Sequence, residues 1–506
     1  VAALAGTGAV AAGLGVSELA AGALGVPTPL GALAETVIVL APGGLATTAI
    51  DALGGLARPL TLTAVVVVAL ALGAGVGLLA RRSWQLASAL IAVAAVLGAG
   101  PALSAGEQLA ALAVVPAALV TGAVLRLVAV GSDLLPRAAV AVRPTPHEDA
   151  ATSQERRRLV GGLVALGAVA VLSTAGGRWL GARRALALSP SDLSLPEPAQ
   201  AAGPLPRDLG RQVEGIDPVL TPVEDFYRID TAVTVPRVDA GNWVLRVRGL
   251  VEEPLTLTYE ALRDLPQVEA DITLACVSNE VGGDLVGTAR WTGVRLDELL
   301  DRAGVLPGAE QVVGRATDGW DAGFPLEVLD GRDALVAIGM NGEPLPARHG
   351  FPARLIVPGL FGYVSATKWL IEIELTTWDY DAYWIPRGWA KEAPMRRAAR
   401  IDVPRPGQSL QAGTTAVAGV AWAPMVGVEA VEVQVDGGDW QAAELGPELG
   451  VAAWRQWHLP WEAESGQHTL RARVVGGDGR TQTGQRSDPR PDGATGWHTV
   501  EVTVGG

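Results

Sequence analysis

The first 176 residues hold five apolar stretches with almost no charge inside them, at about 1–25, 59–80, 84–100, 108–130 and 159–176. A helix rises about 1.5 Å per residue, so crossing about 30 Å of hydrocarbon takes roughly 20 apolar residues. The pattern predicts an all-α transmembrane region over residues 1–180 with about five helices. Residues 31–57 are apolar too, but Pro42, Gly43 and Gly44 interrupt them, as in a loop or an interfacial helix. Arg81 and Arg82 separate the second and third spans, and Arg126, Arg137, Arg143 and Arg156 to Arg158 flank the connection from fourth to fifth. The positive-inside rule puts both connections in the cytoplasm and everything after residue 177 outside it, in a protein of the cell membrane. Arg178, Arg183 and Arg184 run against that orientation. QERRRLVGGLVALGAVAVLSTAGG (154–177) fits a twin-arginine export signal as well as a plain basic flank. No His lies within the spans, so this chain alone cannot hold a haem between two histidines there. Glu18 either marks a polar pathway or lies near an interface against a neighbouring helix.

Charge divides the chain in the same place. Residues 1–186 carry 12 Lys/Arg and 8 Asp/Glu, a net of +4, and the remainder carries 27 and 45, a net of −18. An acidic soluble part repels nucleic-acid backbones, which excludes nucleic acid as a partner. Lys occurs only at 368 and 391 in a chain that otherwise writes Arg. The single cysteine, Cys276, allows no intrachain disulfide and taken alone reads as a small buried hydrophobe.

Residues 181–220, rich in Pro, Ser, Ala and Asp, read as a linker. Beyond them WVLRVRGL (243–250) alternates as a strand, and LTLTYEALRDLP (255–266) reads as a strand edge running into a short helix that stops before Pro266. After residue 395, VEAVEVQVDGGDWQAAEL (428–445), HTLRARVVGGDGRTQT (468–483) and WHTVEVTV (497–504) are alternating strands with DGG and GGDG turns. That spacing predicts an all-β sandwich of immunoglobulin type over 396–506, with Trp440, Trp454, Trp457 and Trp461 as core or interface residues.

The chemistry concentrates in 221–395. FYRIDT (226–231), LACVSNEVGG (274–283) with TARWTGVRLDELL (288–300), GMNGEPLPARHGFPARLIVPG (339–359) and LFGYVSATKW (360–369) follow one another. Together they resemble the molybdopterin domain of the sulfite oxidase family, and the sandwich resembles that family's dimerisation domain. The resemblance implies an α+β molybdopterin-binding domain, a molybdenum–molybdopterin cofactor and a possible homodimer. It places Cys276 on the metal. It also places Phe226, Tyr227, Arg228, Asp230, Thr231, Asn279, Thr288, His349, Arg354, Gly362, Ser365, Thr367 and Lys368 on or around the pterin. The residue types suit that role, because molybdenum takes soft sulfur ligands and a buried phosphate wants fixed cations and backbone N–H donors. Each also has a plainer use: His349 could cap a turn, Arg354 could be an ion-pair partner, and Trp291 and Trp369 could be packing.

The departures concern substrate. Where sulfite oxidases carry oxyanion-binding arginines, this chain has Glu280 and, near enough, Val364 and Ser365, while Trp320 in ATDGWDAGF replaces the substrate-site Tyr. A carboxylate there would repel sulfite or nitrate. Arg387 in YWIPRGW (383–389) restores a positive charge at the pocket mouth or else makes a surface ion pair. The implied chemistry is two-electron oxygen-atom transfer on a small-molecule substrate, with a separate electron partner such as a cytochrome or a quinone, since no CxxCH or cysteine cluster occurs. A reductase of S-oxides, N-oxides or oxidised protein residues is the competing enzyme, and a cofactor-free membrane-anchored adhesion or scaffold protein the competing class.

Overall fold

A computed structural model of the chain describes residues 2–104 except 25, 27, 32 and 35–56, residues 112–133 and 148–187, and residues 193–505 except 207, 233 and 234. The interruption at Pro42–Gly44 and the flanking Arg137 and Arg143 lie outside the described residues. Two compact units result, Val1–Ser189 with Thr231–Arg237, and Pro190–Asp230 with Val238–Gly506.

In the first unit α1 (Ala2–Leu24), α2 (Ala57–Ala80), α3 (Trp84–Ser104), α4 (Val114–Asp133) and α5 (Glu148–Ala187) cover all five apolar stretches. Small residues let α1 lie directly against its neighbours. A Cβ on Gly6 would stand 2.1 Å from the Gly73 carbonyl oxygen, and one on Gly177 would stand 2.4 Å from that of Glu18. Thr121 Oγ1 of α4 donates to Ala9 O at 3.3 Å. Such close approach is how helices associate where no hydrophobic force separates them from their surroundings. Leu72, Leu97, Leu119 and Leu172 point outward and exposed, the reverse of a water-soluble bundle.

Ala2–Leu24, Leu60–Ala80 and Val160–Leu180 are long and apolar enough to cross a membrane, whereas Trp84–Ala99 and Val114–Leu127 are shorter. Among the described residues, three helices are thus long and apolar enough to cross, and two further apolar helices accompany them. The Arg126 guanidinium, which ends the apolar part of α4, lies 5.1 Å over the Trp84 ring. α5 continues past the expected boundary at 180 to Ala187.

The second unit opens with β1 (Val244–Gly249), β2 (Leu255–Thr258) and α6 (Tyr259–Arg263), the strand and strand-to-helix step expected there. Thr258 Oγ1 accepts from Ala261 N at 3.1 Å and starts α6. β3 (Val268–Ala275), β4 (Val286–Arg295), α7 (Leu296–Ala303), β5 (Gln311–Ala316), β6 (Asp321–Pro325), β7 (Leu335–Met340), β8 (Glu343–Pro344), β9 (Arg354–Ile356), α8 (Gly362–Ser365) and β10 (Leu370–Thr376) follow. They form one sheet in the order β2-β1-β10-β5-β6 and a second in the order β3-β4-β7-β8, with β9 added on β7.

The last part pairs β11 (Ala398–Val403), β13 (Gly413–Trp422), β17 (Arg455–Ala463) and β16 (Glu444–Leu445) in one sheet. β12 (Ser409–Gln411), β19 (His498–Gly505), β18 (Gly466–Gly476), β14 (Val428–Val435) and β15 (Trp440–Ala442) form the other. Val417, Val431, Trp457, Trp461, Val474 and Val502 from the two sheets share one buried core. Trp454 does not join it. Together with Val420 and Trp422 it belongs to the core that holds Leu245, Val336, Leu355 and Ile373 of the preceding sheets.

Much of the expected linker segment makes contacts of its own. Leu193 and Leu195 pack on the central core, and Gln200 bridges to Val268. Leu209 N donates to Gln456 Oε1 at 2.9 Å, and Trp454 Nε1 donates to Val219 O at 2.8 Å. Residues 193–220 are therefore seated on the sheets. Backbone groups and isolated side chains make these contacts, so no periodicity betrays them in the sequence.

Candidate functional site

Cys276 leaves the end of β3 and is 8% exposed. Its N donates to Leu285 O at 2.9 Å, and its O accepts from Asn279 N at 3.0 Å. Asn279 Oδ1 accepts from Leu285 N at 2.9 Å. Asn279 thus closes the loop that holds the thiol and is spent on backbone. Burial pushes the Cys276 thiol up, against the Ser278 N–H and hydroxyl donors and the Lys368 charge. A thiol that coordinates a metal releases its proton, and the metal's positive charge then stabilises the thiolate against the cost of burial.

Two cations converge beside it. Gly350, at φ +114°, turns the chain so tightly that a Cβ would stand 3.0 Å from Arg354 Cβ and 3.2 Å from Lys368 Cα. Only glycine takes that conformation without strain. The Arg354 guanidinium is 5% exposed and stacks 4.9 Å over Trp291, with Nη1 donating to His349 O at 3.0 Å. Its Nε is buried with no hydrogen-bond partner, and among the described residues no carboxylate lies within 4.0 Å of it. Burial pulls Arg354 down to about 10 and Lys368 down to about 8, so both keep their charge at neutral pH. Lys368 Nζ donates to Asp230 Oδ2 and to Ile229 O, both at 2.9 Å. Arg228 Nε reaches the same Asp230 oxygen at 3.2 Å.

Aromatic rings wall the cluster. Phe226 stacks on Tyr227 at 5.4 Å and meets Trp291 and His349 edge-on at 5.8 and 5.9 Å. Tyr227, whose phenol is raised by burial and by its closeness to Cys276, faces α8, where a Cβ on Gly362 would lie 3.6 Å from its oxygen. His349 Nε2 lies 3.0 Å from Val223 O; a carbonyl only accepts, so Nε2 carries the proton. Burial and Arg354 lower His349 to about 4, leaving the ring neutral with Nδ1 as an acceptor. His349 thus pins the 223 loop, together with Arg348, whose Nη2 donates to Val223 O at 2.9 Å.

Other expected residues serve the frame. Thr288 is fully buried, its hydroxyl 2.5 Å from that of Thr273, which also accepts from Trp454 N at 2.7 Å. Ser365 Oγ donates to Leu360 O and Phe361 O, and Thr367 Oγ1 donates to Gly314 O at 3.4 Å. Neither has exposed surface. The side chains of these three brace the loops that carry Cys276 and Lys368. Trp369 and Trp291 are packing rings, 2% and 0% exposed.

Glu280 is exposed, and its carbonyl accepts from Gly283 N at 3.0 Å. Trp320 is half-buried with its Nε1 buried and unpartnered. Arg387 lies 3.8 Å over the Tyr383 ring and donates to Tyr383 O at 2.5 Å. Sequence reasoning missed Ser278, Asp318 and Tyr383. Ser278 carried a signal, two residues after the cysteine. Asp318 and Tyr383 lie 65 residues apart and meet only in the fold.

A two-sheet α+β domain with one buried thiol beside two desolvated cations, one of them with an unused N–H, is what a molybdopterin-binding oxidoreductase requires. The family model for the oxidoreductase molybdopterin binding domain matches residues 232–384. The chain is 35% identical over 151 residues to the uncharacterized oxidoreductase YuiH of Bacillus subtilis, covering 30% of this chain and 74% of that protein. It is 30% identical over 286 residues to human mitochondrial sulfite oxidase, covering 47% of this chain and 52% of that enzyme, so it spans about half of the human relative. The sulfane dehydrogenase SoxCD from Paracoccus pantotrophus shares the fold, with a TM-score of 0.50 at 23% identity, covering 56% of this chain and 81% of that one. The chain belongs to the sulfite oxidase family of molybdopterin-dependent oxidoreductases. Its cofactor is the molybdenum–molybdopterin group, and the residues fit it. Arg354 brings a buried charge and an unused N–H for a phosphate, and Cys276 brings a thiol. Among the described residues no cluster of three or more His, Cys, Asp or Glu could hold a metal by itself.

Proposed function

We propose that this chain is a membrane-anchored oxidoreductase that moves an oxygen atom to or from a small neutral substrate outside the cytoplasm, with S-oxides and N-oxides as the favoured class. The cofactor supplies a metal that exchanges one oxygen atom and two electrons. Arg354 and Lys368 would hold its phosphate, Cys276 its metal, and Phe226 and Tyr227 its pterin, while Asn279, Ser365 and Thr367 keep the surrounding loops in place. The single observation that carries the substrate reading is the character of the pocket's outer side. Glu280 is exposed where family oxyanion binders have a cation, and the buried Trp320 Nε1 has a hydrogen to give and no acceptor in the chain. A neutral S=O or N–O oxygen accepts that hydrogen without the charge that Glu280 would repel.

The three long apolar helices support an anchor, and an orientation with the soluble unit outside follows the arginine distribution. The division into 1–180, 181–220, 221–395 and 396–506, an immunoglobulin-type sandwich, pairing of two copies through it, and electron exchange with a cytochrome or quinone are parts of the same proposal. Steady-state assays with reduced viologen and methionine sulfoxide, and with sulfite and ferricyanide, test it. Sulfoxide turnover at least about tenfold above sulfite turnover in kcat/KM is expected; sulfite turnover exceeding sulfoxide turnover overturns the substrate reading. Metal analysis of the purified protein finding no molybdenum would instead favour a cofactor-free scaffold.

A further inference from the structure

Oxygen-atom transfer needs protons as well as electrons. Removing the atom as water consumes two protons and two electrons, and the reverse reaction releases them. We infer that Asp318 is the proton-holding residue of this site, passing protons between the Lys368 side of the cluster and the solvent beside Tyr383. This rests on the oxygen-transfer reading but not on its direction.

The geometry starts at Trp369, a non-glycine residue at φ +52°, whose carbonyl turns towards the β5–β6 hairpin. It accepts from Thr317 N at 3.0 Å and from Thr317 Oγ1 at 3.2 Å. Asp318 and Lys368, each the neighbour of a bonded residue, are thereby held side by side. The hairpin closes through Ala316 N to Trp320 O at 2.8 Å and Gly319 N to Ala316 O at 3.1 Å. Asp318 Oδ1 accepts from Trp320 N at 3.2 Å, which fixes the carboxyl.

On the far side Tyr383 N donates to Asp321 Oδ1 at 2.8 Å, which clamps the 378–390 segment onto β6. The charged groups facing Asp318 are Asp230 and Lys368, and Tyr383 feels it from the clamped segment with Arg387 stacked on its ring. Burial, with Asp230 adding to it, lifts the Asp318 carboxyl against the pull of the Trp320 N–H and Lys368. A carboxyl raised in this way exchanges its proton nearer neutral pH, as a proton-transfer group must.

The test uses the full-length holoenzyme, with molybdenum content measured for each variant. With methionine sulfoxide and reduced viologen, wild-type kcat should fall as pH rises through the ionisation of this carboxyl. Asp318→Asn should lose at least about tenfold in kcat at the acid end and become flat with pH, with KM within about threefold. Asp318→Glu should restore the falling limb. A second readout needs no substrate: the metal's reduction potential, followed by electron paramagnetic resonance at stepped pH, should bend at the same ionisation in wild type and not in Asp318→Asn. An Asn variant that keeps both the limb and the bend overturns the inference. A bend that disappears in Asp318→Asn, with no sulfoxide turnover in any variant, removes the substrate reading and leaves the proton site standing.

Discussion

Arg354 combines deep burial, full charge and an unspent Nε–H, a set that is costly without an anion to meet it. Replacing it by an apolar side chain of similar reach should cost the fold little and the cofactor much. In Arg354→Met, thermal unfolding of the molybdenum-free protein should stay at or above that of the parent, while the molybdenum retained on purification drops at least about tenfold. Equal metal content in both would remove Arg354 from the cofactor site. Gly350 offers the matching test of backbone geometry. Gly350→Ala meets Arg354 Cβ at 3.0 Å in a left-handed conformation, and should lose about 1–3 kcal/mol in denaturant unfolding together with part of the bound metal. Cys276 stood out in the sequence because its neighbours carry the family's motif. The tautomer of His349 was not legible, because it depends on Val223, 126 residues away.

Among the elements, β19 and the loop after Cys276 are tied by His498. Its Nδ1 accepts from Ile401 N at 2.9 Å, and its ring fills the space where a Cβ on Gly282 would be. Burial, helped by Arg400, lowers His498 to about 4 from its ordinary 6.5. The folded chain thus holds the ring neutral while the unfolded chain takes up a proton below 6.5. The stability it contributes is present above that pH and is lost as pH falls towards 4, up to about 3 kcal/mol. In His498→Asn the acid slope of the unfolding free energy between pH 6.5 and 4 should flatten; an unchanged slope would assign it elsewhere. The strands around 243–250, 428–435 and 498–505 were readable from alternation, since one face of each is buried. The pairing of β1 with β10 in parallel, with β5 on the other side of β10, was not, because register across more than 100 residues leaves no local pattern.

For the soluble unit as a whole, Val420, Trp422 and Trp454 complete the core under the cofactor-binding sheets, and Arg400 Nη1 donates to Gly283 O at 3.2 Å. Residues 190–395 produced alone should therefore be protease-sensitive and poor in molybdenum, while 190–506 should resist digestion and keep its metal. Equal resistance of both would show that the sandwich is dispensable. Composition determined the division into an apolar helical part and an acidic soluble part, and the ordered motifs around Cys276, through the family they resemble, pointed to the cofactor class. These rest on residue type and local order, which a linear chain carries in full. Only the tertiary structure decided that the supposed linker is seated on the sheets, and that Thr288, Ser365 and Thr367 brace the frame. It alone set Asp318 beside Lys368 and Tyr383. Each of those facts depends on which distant backbone group a polar atom meets, and burial settles that only once the sheets have closed around it.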